Sequence, residues 1–499
     1  MTSAVTVQVR KELRALLPWW AMAMVACAAM TLMARQSVRF PGFRFEGAIW
    51  AVATYVVAAL AIGALSIGHE LAHRTLPALL VQPVRRGRVL AIKVFVWGLA
   101  LLTLGLLADW LFIDRLLRPH SRQLLLWGPI VAGIGLAPLL TLLTRRALGG
   151  AVFAMTIPGA IFAVGNIFYP ERSDATATNL TWYATLVLSA AGLLLLFRQF
   201  GRLEIAGDGA VRSPSARRAM AAEGAGRPAP RHWIGLVVRK ELRLQQMTFA
   251  VSALYVLACL ASAVAQRLNP DYMGATFYAL SGLHAVFIAL LAGALASAEE
   301  RQLGTLGVQL LTPQAAWTQW TIKSGTAVAL ALALGVGLPL LLMWTSPANR
   351  SGFSSEIVIW SLLLTSLGLY VSALSTSSLW ALLASFPAIG LALLIGFVAL
   401  WPMGYVTSHW IRPMAVRVAS ATSASGHTAS IRSVEEPVAV LLVIGLGCLA
   451  IVFAGRNHRS LDRSVRSVAG QVLWLAAYAA VAVIILQTFS EIAIAARLG

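Results

Sequence analysis

Uncharged apolar runs recur along the whole chain, separated by short segments in which Arg, Lys, Asp and Glu collect. A run of about 20 residues, wound as a helix, crosses a hydrocarbon core of roughly 30 Å while satisfying its own backbone hydrogen bonds. The pattern predicts spans near residues 17–34, 47–68, 89–113, 123–144, 147–169 and 180–197. It resumes at 248–266, 274–298, 322–345, 357–374, 379–402, 437–455 and 469–490, giving thirteen in all. Ahead of the first, Val5, Val9, Leu13 and Leu16 form one apolar stripe opposite Arg10, Lys11 and Arg14. That spacing predicts an amphipathic helix lying in the interface plane.

The sequence also repeats. Val9-Arg10-Lys11-Glu12-Leu13-Arg14 returns 229 residues later as Val238-Arg239-Lys240-Glu241-Leu242-Arg243. Glu70, Thr75, Leu76, Leu80, Pro83 and Lys93 return 230 residues later as Glu300, Thr305, Leu306, Leu310, Pro313 and Lys323. Two motifs at nearly one offset, each in the same place relative to the spans, mark a duplicated unit. The expected fold is an all-α polytopic membrane protein: two parallel, pseudo-symmetric six-helix bundles plus one additional C-terminal transmembrane helix. Residues 1–200 make the first half, 201–232 a flexible linker rich in Gly, Ala, Pro and Arg, 233–465 the second half, and 466–499 the extra helix. An even number of spans per half makes the repeats parallel, with a pseudo-two-fold axis along the membrane normal. The thirteenth span places the carboxyl terminus outside, and residues 403–436, with Trp410 and Pro413, form a partly ordered outer loop.

Composition agrees. Hydrophobic residues make up 59% of the 499 and charged residues 12%, too few to cover a water-soluble surface of this size. The net charge of +20 would suggest nucleic acid in a soluble protein. Here Arg10, Lys11 and Arg14, then Arg74, Arg85, Arg86 and Arg88, then Arg145 and Arg146 occupy alternate loops. The stretch from Arg198 to Arg243 and the group Arg456, Arg459, Arg463 and Arg466 continue the series. All fall on one side if the amino terminus is cytoplasmic, as the positive-inside rule requires of a multi-pass inner (plasma) membrane protein. Arg35, Arg39, Arg44, Arg115, Arg118 and Arg122 make the bias imperfect. Nucleic acid is excluded as a partner. Cys27, Cys259 and Cys448 each sit inside a predicted span, which leaves no disulfide framework and no zinc-finger spacing. The first span lacks a small-residue cleavage pattern and is read as retained.

The loop between the second and third spans of each half carries the sharpest motif. Glu70, Thr75, Leu76, Leu80 and Pro83, with Glu300, Thr305, Leu306, Leu310 and Pro313 in the second half, read as two short helical levers. Glu suits the positive start of a helix, Leu76 and Leu80 share a face, and Pro83 closes the segment. Pro77, where the second lever has Gly307, would kink a helix that began at Glu70 or fall harmlessly in the first turn of one that began near Thr75. A shorter first lever is expected in either geometry.

This arrangement of a glutamate, a Thr-Leu pair, spaced leucines and a proline after an amphipathic leading helix resembles the ABC-2 type transporter permeases. The resemblance covers both halves. It implies that each loop is a coupling helix that docks on one copy of a separate cytoplasmic ABC ATPase, so that two copies serve the fused chain. It further implies export of a hydrophobic or amphipathic compound, such as a drug, antibiotic or lipid-like molecule. No Gly-x-x-x-x-Gly-Lys-Ser/Thr phosphate loop occurs, so ATP and Mg belong to the partner and this chain is not an enzyme and binds no cofactor of its own.

Two rivals stand beside that reading. His69-Glu70-Leu71-Ala72-His73 matches H-E-x-x-H, the pattern of an intramembrane zinc metalloprotease with two histidine ligands and a glutamate base. The repeat keeps Glu300 but replaces the histidines by Glu299 and Leu303, which favours a structural lever. A major-facilitator-type secondary transporter shares the outline of two six-span halves, yet Asp is absent from both loops. Such a carrier needs ionisable groups at mid-membrane. The spans offer only His284 centrally, with Asp109 and Lys93 near ends where they are expected to snorkel. Trp19, Trp20, Trp110, Trp344 and Trp401 read as interfacial anchors. Asn166, Thr156 and Ser385 are candidates for a translocation path or for helix-to-helix contacts, and no pocket is assigned.

Overall fold

The structure, a computed structural model, describes residues 2–37, 47–72, 75, 86–112, 122–168, 173–202, 233–268, 275–307, 315–344, 355–390, 428–460 and 464–498. The linker expected at 201–232 lies outside them beyond Arg202, as do Trp401, Trp410, Pro413, His73, Leu76, Pro77, Leu80, Pro83, Leu310 and Pro313. Among the described residues every regular element is helical. The helices are α1 (Thr2–Ser37), α2 (Gly47–Ala72), α3 (Arg86–Phe112), α4 (Gly128–Thr144), α5 (Ala147–Phe168) and α6 (Ser173–Arg202). They continue as α7 (Trp233–Leu244), α8 (Gln246–Leu268), α9 (Ala275–Leu303), α10 (Ala316–Leu330), α11 (Leu338–Trp344) and α12 (Ser355–Leu374). Last come α13 (Ser378–Gly390), α14 (Thr428–Arg459) and α15 (Val465–Leu498). A π-helical turn, Gln123–Trp127, opens α4, and another, Ala331–Gly337, joins α10 to α11.

Ten helices among the described residues are long and apolar enough to cross a membrane, and the pair α7–α8 makes an eleventh if counted as one bent span. The chain is therefore a multi-pass, all-helical membrane protein. The outer loop expected to run to residue 436 gives way to α14 at Thr428.

The helix expected ahead of each half takes two forms. In the second half α7 and α8 meet at Gln245 with a bend of 59°. The Gln245 side chain holds this corner, donating to the Ala292 carbonyl at 2.9 Å and accepting from the Thr248 hydroxyl at 2.7 Å. In the first half the leading segment and the span form one unbroken helix, α1. Leu16 stands there in place of Gln245, so the first half lacks the side chain that makes these two bonds in the second. Along α1 Glu12 and Leu16 are buried while Leu13 is exposed.

The chain folds as two compact units, Met1–Cys27, Val52–Arg243 and Leu260–Tyr272 in one, Ala28–Ala51, Leu244–Cys259 and Met273–Gly499 in the other. In the first, α4 packs on α5 and α6, and α3 packs on α4. In the second, α9 packs on α12, α12 on α14, and α14 on α15. Each unit has a crossing where only glycine fits. A Cβ on Gly63 of α2 would lie 2.1 Å from the Gly133 carbonyl oxygen of α4, and one on Gly293 of α9 would lie 2.5 Å from the Thr365 carbonyl oxygen of α12, beside Gly368. Close backbone approach through small residues is how membrane helices gain packing without a hydrophobic driving force between them. Gly63 and Gly293 stand 230 residues apart, the offset of the loop motif, so the crossing repeats with the duplication.

Candidate functional site

The glutamates of the loop motifs stand at the ends of membrane helices rather than at the starts of new ones. Glu70 lies in the last turn of α2 and Glu300 in the last turn of α9. The Thr75 N–H donates to the Glu70 carbonyl at 3.0 Å, and the Thr305 N–H to the Glu300 carbonyl at 3.0 Å. In the second loop Gly304 has φ of +71° and its N–H donates to the Arg301 carbonyl at 3.1 Å. Those two bonds around a left-handed glycine are the Schellman closure of a helix C-terminus. The expectation that Glu70 and Glu300 start their levers is thus corrected: each closes a membrane helix. Helical geometry resumes at Leu306 and Gly307, past Thr305. Pro77 and the expected difference in lever length lie outside the described residues.

A carboxylate at a helix C-terminus meets the negative end of the helix dipole, and burial adds a desolvation cost of several kcal/mol. Both are offset by a lysine from the following helix. In the first unit Lys93 Nζ lies 2.8 Å from Glu12 Oε1 and 3.1 Å from Glu70 Oε1, with side-chain exposures of 3, 3 and 2%. Lys11, 45% exposed, adds a second contact to Glu70 Oε1 at 3.1 Å. The Thr75 hydroxyl donates to Glu70 Oε2. Glu12 further accepts from Trp97 Nε1 at 3.2 Å and from Gln8 Nε2 at 3.1 Å. Two carboxylates and two ammonium groups make a neutral, hydrogen-bonded cluster that ties α1, the end of α2 and the first turns of α3 together. Ile67, Val89, Leu90, Leu139, Leu142, Leu196 and Phe200 form the apolar core beside it. Contrary to the expectation from its place near a span end, Lys93 does not snorkel, because two carboxylates inside the fold outcompete water there.

The second unit repeats the core of the cluster. Lys323 Nζ lies 2.9 Å from Glu300 Oε2, both side chains fully buried, and donates to the Ala296 carbonyl at 2.8 Å. Around the Glu300–Lys323 pair Gln302 accepts from the Ser378 hydroxyl at 3.0 Å, Arg301 donates to the Asn457 carbonyl at 3.1 Å, and the Ser297 hydroxyl meets His458 Nδ1 at 2.9 Å. Leu306 is buried, while Thr305 is exposed.

Glu70, which the protease reading needs as a free base, is instead a buried counter-ion with three donors. His69 is half-buried in the last turn of α2. Among the described residues no group of three or more His, Cys, Asp or Glu is placed to hold a metal ion. His284 stacks on Tyr255, ring centres 3.9 Å apart, and its Nε2 lies 3.0 Å from the Leu334 carbonyl, which the π-helical turn makes accessible. Asp109 pairs with Arg122 at 2.7 Å. Thr156 and Ser385 donate to the carbonyls of Phe153 and Ala381 in their own helices; the Asn166 side chain lies outside the described residues. Trp110 is exposed, consistent with an anchor, and Trp20 donates to the Thr103 hydroxyl at 3.0 Å. The first unit also holds an apolar crevice of about 220 Å³ lined by Leu60, Pro129, Met155, Phe162, Thr181 and Thr185. The two threonine hydroxyls turn back to the Ala177 and Thr181 carbonyls, leaving methyl groups toward the crevice.

The sequence singles out Glu70, Lys93 and their repeats separately but does not join them, and it gives no sign of the inward role of Glu12. No family model matches the chain, and neither a curated protein nor a solved structure matches it.

Proposed function

We propose that the chain is the membrane-spanning permease subunit of an ABC-2 type exporter, its two halves forming six-helix bundles around a central path and its amino terminus cytoplasmic. The observation that carries the reading is the same buried glutamate–lysine clamp at the foot of both loops. A loop that only linked two spans would need no such anchor. A loop that receives force does, because a push on a flexible connection is lost in bending it. With Glu70 held to Lys93 and Lys93 held to Glu12, a displacement at Thr75 moves the ends of α1, α2 and α3 as one body. Glu300 and Lys323 transmit a displacement at Thr305 to α9 and α10.

On this reading two copies of a cytoplasmic ABC ATPase dock on the loops around Glu70, Thr75, Leu76, Leu80 and Pro83 and around Glu300, Thr305, Leu306, Leu310 and Pro313. ATP-driven closure of the two copies rocks the halves between inward and outward openings. ATP and Mg stay on those partners, and this chain does no covalent chemistry. The cargo is hydrophobic or amphipathic, in keeping with the apolar crevice of the first unit. Affinity purification of the tagged chain from its native membrane, with the mass of the intact complex measured, tests the partnership. Two ATPase subunits per chain are expected. Transport by the purified chain alone, driven by a proton gradient, would overturn the reading in favour of a secondary carrier.

A further inference from the structure

Helices α14 and α15 pack along each other, and at one end of the pair they part around a cavity of about 890 Å³. That is the size of a small-molecule site, roughly 300–1,000 Å³, and its wall has two characters. Phe453 and Trp474, with Leu449 and Val468, give an apolar side; Arg456, Ser464, Ser467 and Gln471 give a polar one. The floor is fixed by a reciprocal amide pair, Asn457 Nδ2 to Gln471 Oε1 at 2.8 Å and Gln471 Nε2 to Asn457 Oδ1 at 3.0 Å. The Arg456 guanidinium sits 5.9 Å from the Phe453 ring centre, and the residue is exposed.

Arg456 is the charged residue among those that line the cavity, and Arg459 and Arg466 stand on the same two helices. Among the described residues no acid lines the cavity, and none stands in the first turn of α15, so its amino-terminal dipole adds to the positive potential. Leu441, Leu473 and Trp474 are largely exposed on these two helices, the surface a membrane helix shows to lipid. A ligand suited to the site is therefore amphipathic: an anionic oxygen cluster for Arg456 and the serine hydroxyls, and hydrocarbon for the aromatic side. Basic pockets between membrane helices bind phospholipid headgroups by this chemistry.

We propose that the cavity is a binding site for an anionic glycerophospholipid, its phosphate on Arg456, Ser464 and Ser467 and its acyl chains along Phe453 and Trp474. The site is independent of the exporter reading and stands or falls by its own test. The full-length protein, purified in mixed micelles, is titrated with phosphatidylglycerol or phosphatidylcholine, and retained lipid is counted by native mass spectrometry. One phosphatidylglycerol should be held in preference to phosphatidylcholine. Arg456→Gln should weaken its retention about fivefold, the worth of one headgroup-facing arginine. Gly470→Leu should abolish it by filling the cavity: a Cβ on Gly470, which lines the cavity, meets nothing within 4 Å, so the fold is kept and unchanged elution on gel filtration confirms it. Inorganic phosphate and glycerol 3-phosphate at millimolar concentration should not compete. Equal retention of both lipids, or no loss in either variant, would overturn the proposal. Competition by free phosphate would show a soluble-anion site instead and would equally overturn it.

Discussion

Lys93→Met is the sharpest perturbation of the first clamp. The thioether keeps most of the length and apolar stem of lysine but removes the ammonium that bridges Glu12 and Glu70 at 2.8 and 3.1 Å. Both carboxylates are nearly fully buried, so solvent cannot take its place. Glu12 keeps Gln8 and Trp97, and Glu70 keeps Lys11 and Thr75, so neither is left bare, but the group's net charge goes from zero to minus one. Removing one partner of a buried ion pair costs about 3–5 kcal/mol. Asp109→Asn provides the control: its partner Arg122 is 43% exposed, and such a pair is worth about 0.2–1 kcal/mol. The combined variant Glu12→Gln, Glu70→Gln, Lys93→Met removes the desolvated charges along with their attraction, and it should recover at least half of the single-variant loss. Unfolding free energies from denaturing-detergent titration of the purified protein measure all three. The reasoning is refuted if Lys93→Met and Asp109→Asn cost the same within about 1 kcal/mol, or if the combined variant is worse than the single one.

Four further outcomes follow from the same geometry. Lys323→Met should destabilise by about 3–5 kcal/mol, like Lys93→Met, since it removes the ammonium beside a fully buried Glu300 and its bond to the Ala296 carbonyl; the same titration measures it. Gly63→Val and Gly293→Val should each cost more than about 3 kcal/mol or abolish expression, because a Cβ there meets backbone at 2.1 and 2.5 Å; a normal yield of monodisperse protein would contradict the crossings. Gly304→Val should cost about 1–2 kcal/mol through its left-handed backbone, read as a lower unfolding midpoint. Replacing His69 and His73 together by Gln should leave metal content and stability unchanged, whereas stoichiometric zinc by elemental analysis, lost in that variant, would revive the protease.

The sequence made ten of the thirteen expected spans legible because apolar runs of membrane length have few alternatives, and it made the duplication legible because the motifs stand at one offset. It did not show that Glu12, Glu70 and Lys93 meet, since Lys93 stands 81 and 23 residues along the chain from the two glutamates and helical periodicity says nothing of contacts between helices. The stripe of Val5, Val9, Leu13 and Leu16 on α1 predicted an interfacial helix but gave no sign that Glu12 turns in to meet Lys93. Glu70 was placed at a helix start because glutamate favours that position in water, a preference overridden here by a buried lysine. The signal for the true boundary was present in Gly304, a helix-closing glycine just before Thr305. Gly63 and Gly293 were also readable, at the repeat offset, but a glycine inside an apolar run gives no sign of which helix approaches it.

The central claim is that ATP hydrolysed on a partner drives this chain through two loops anchored by buried clamps. The direct measurement is coupled ATP hydrolysis and cargo efflux by the chain co-reconstituted with its ATPase in liposomes, comparing the native protein with Glu70→Gln and Glu300→Gln. The account predicts that both variants still assemble with two ATPase copies but lose efflux at least about tenfold, the kinetic equivalent of about 1.4 kcal/mol. Efflux at the native rate in both variants, or efflux by the chain alone on a proton gradient, would contradict it.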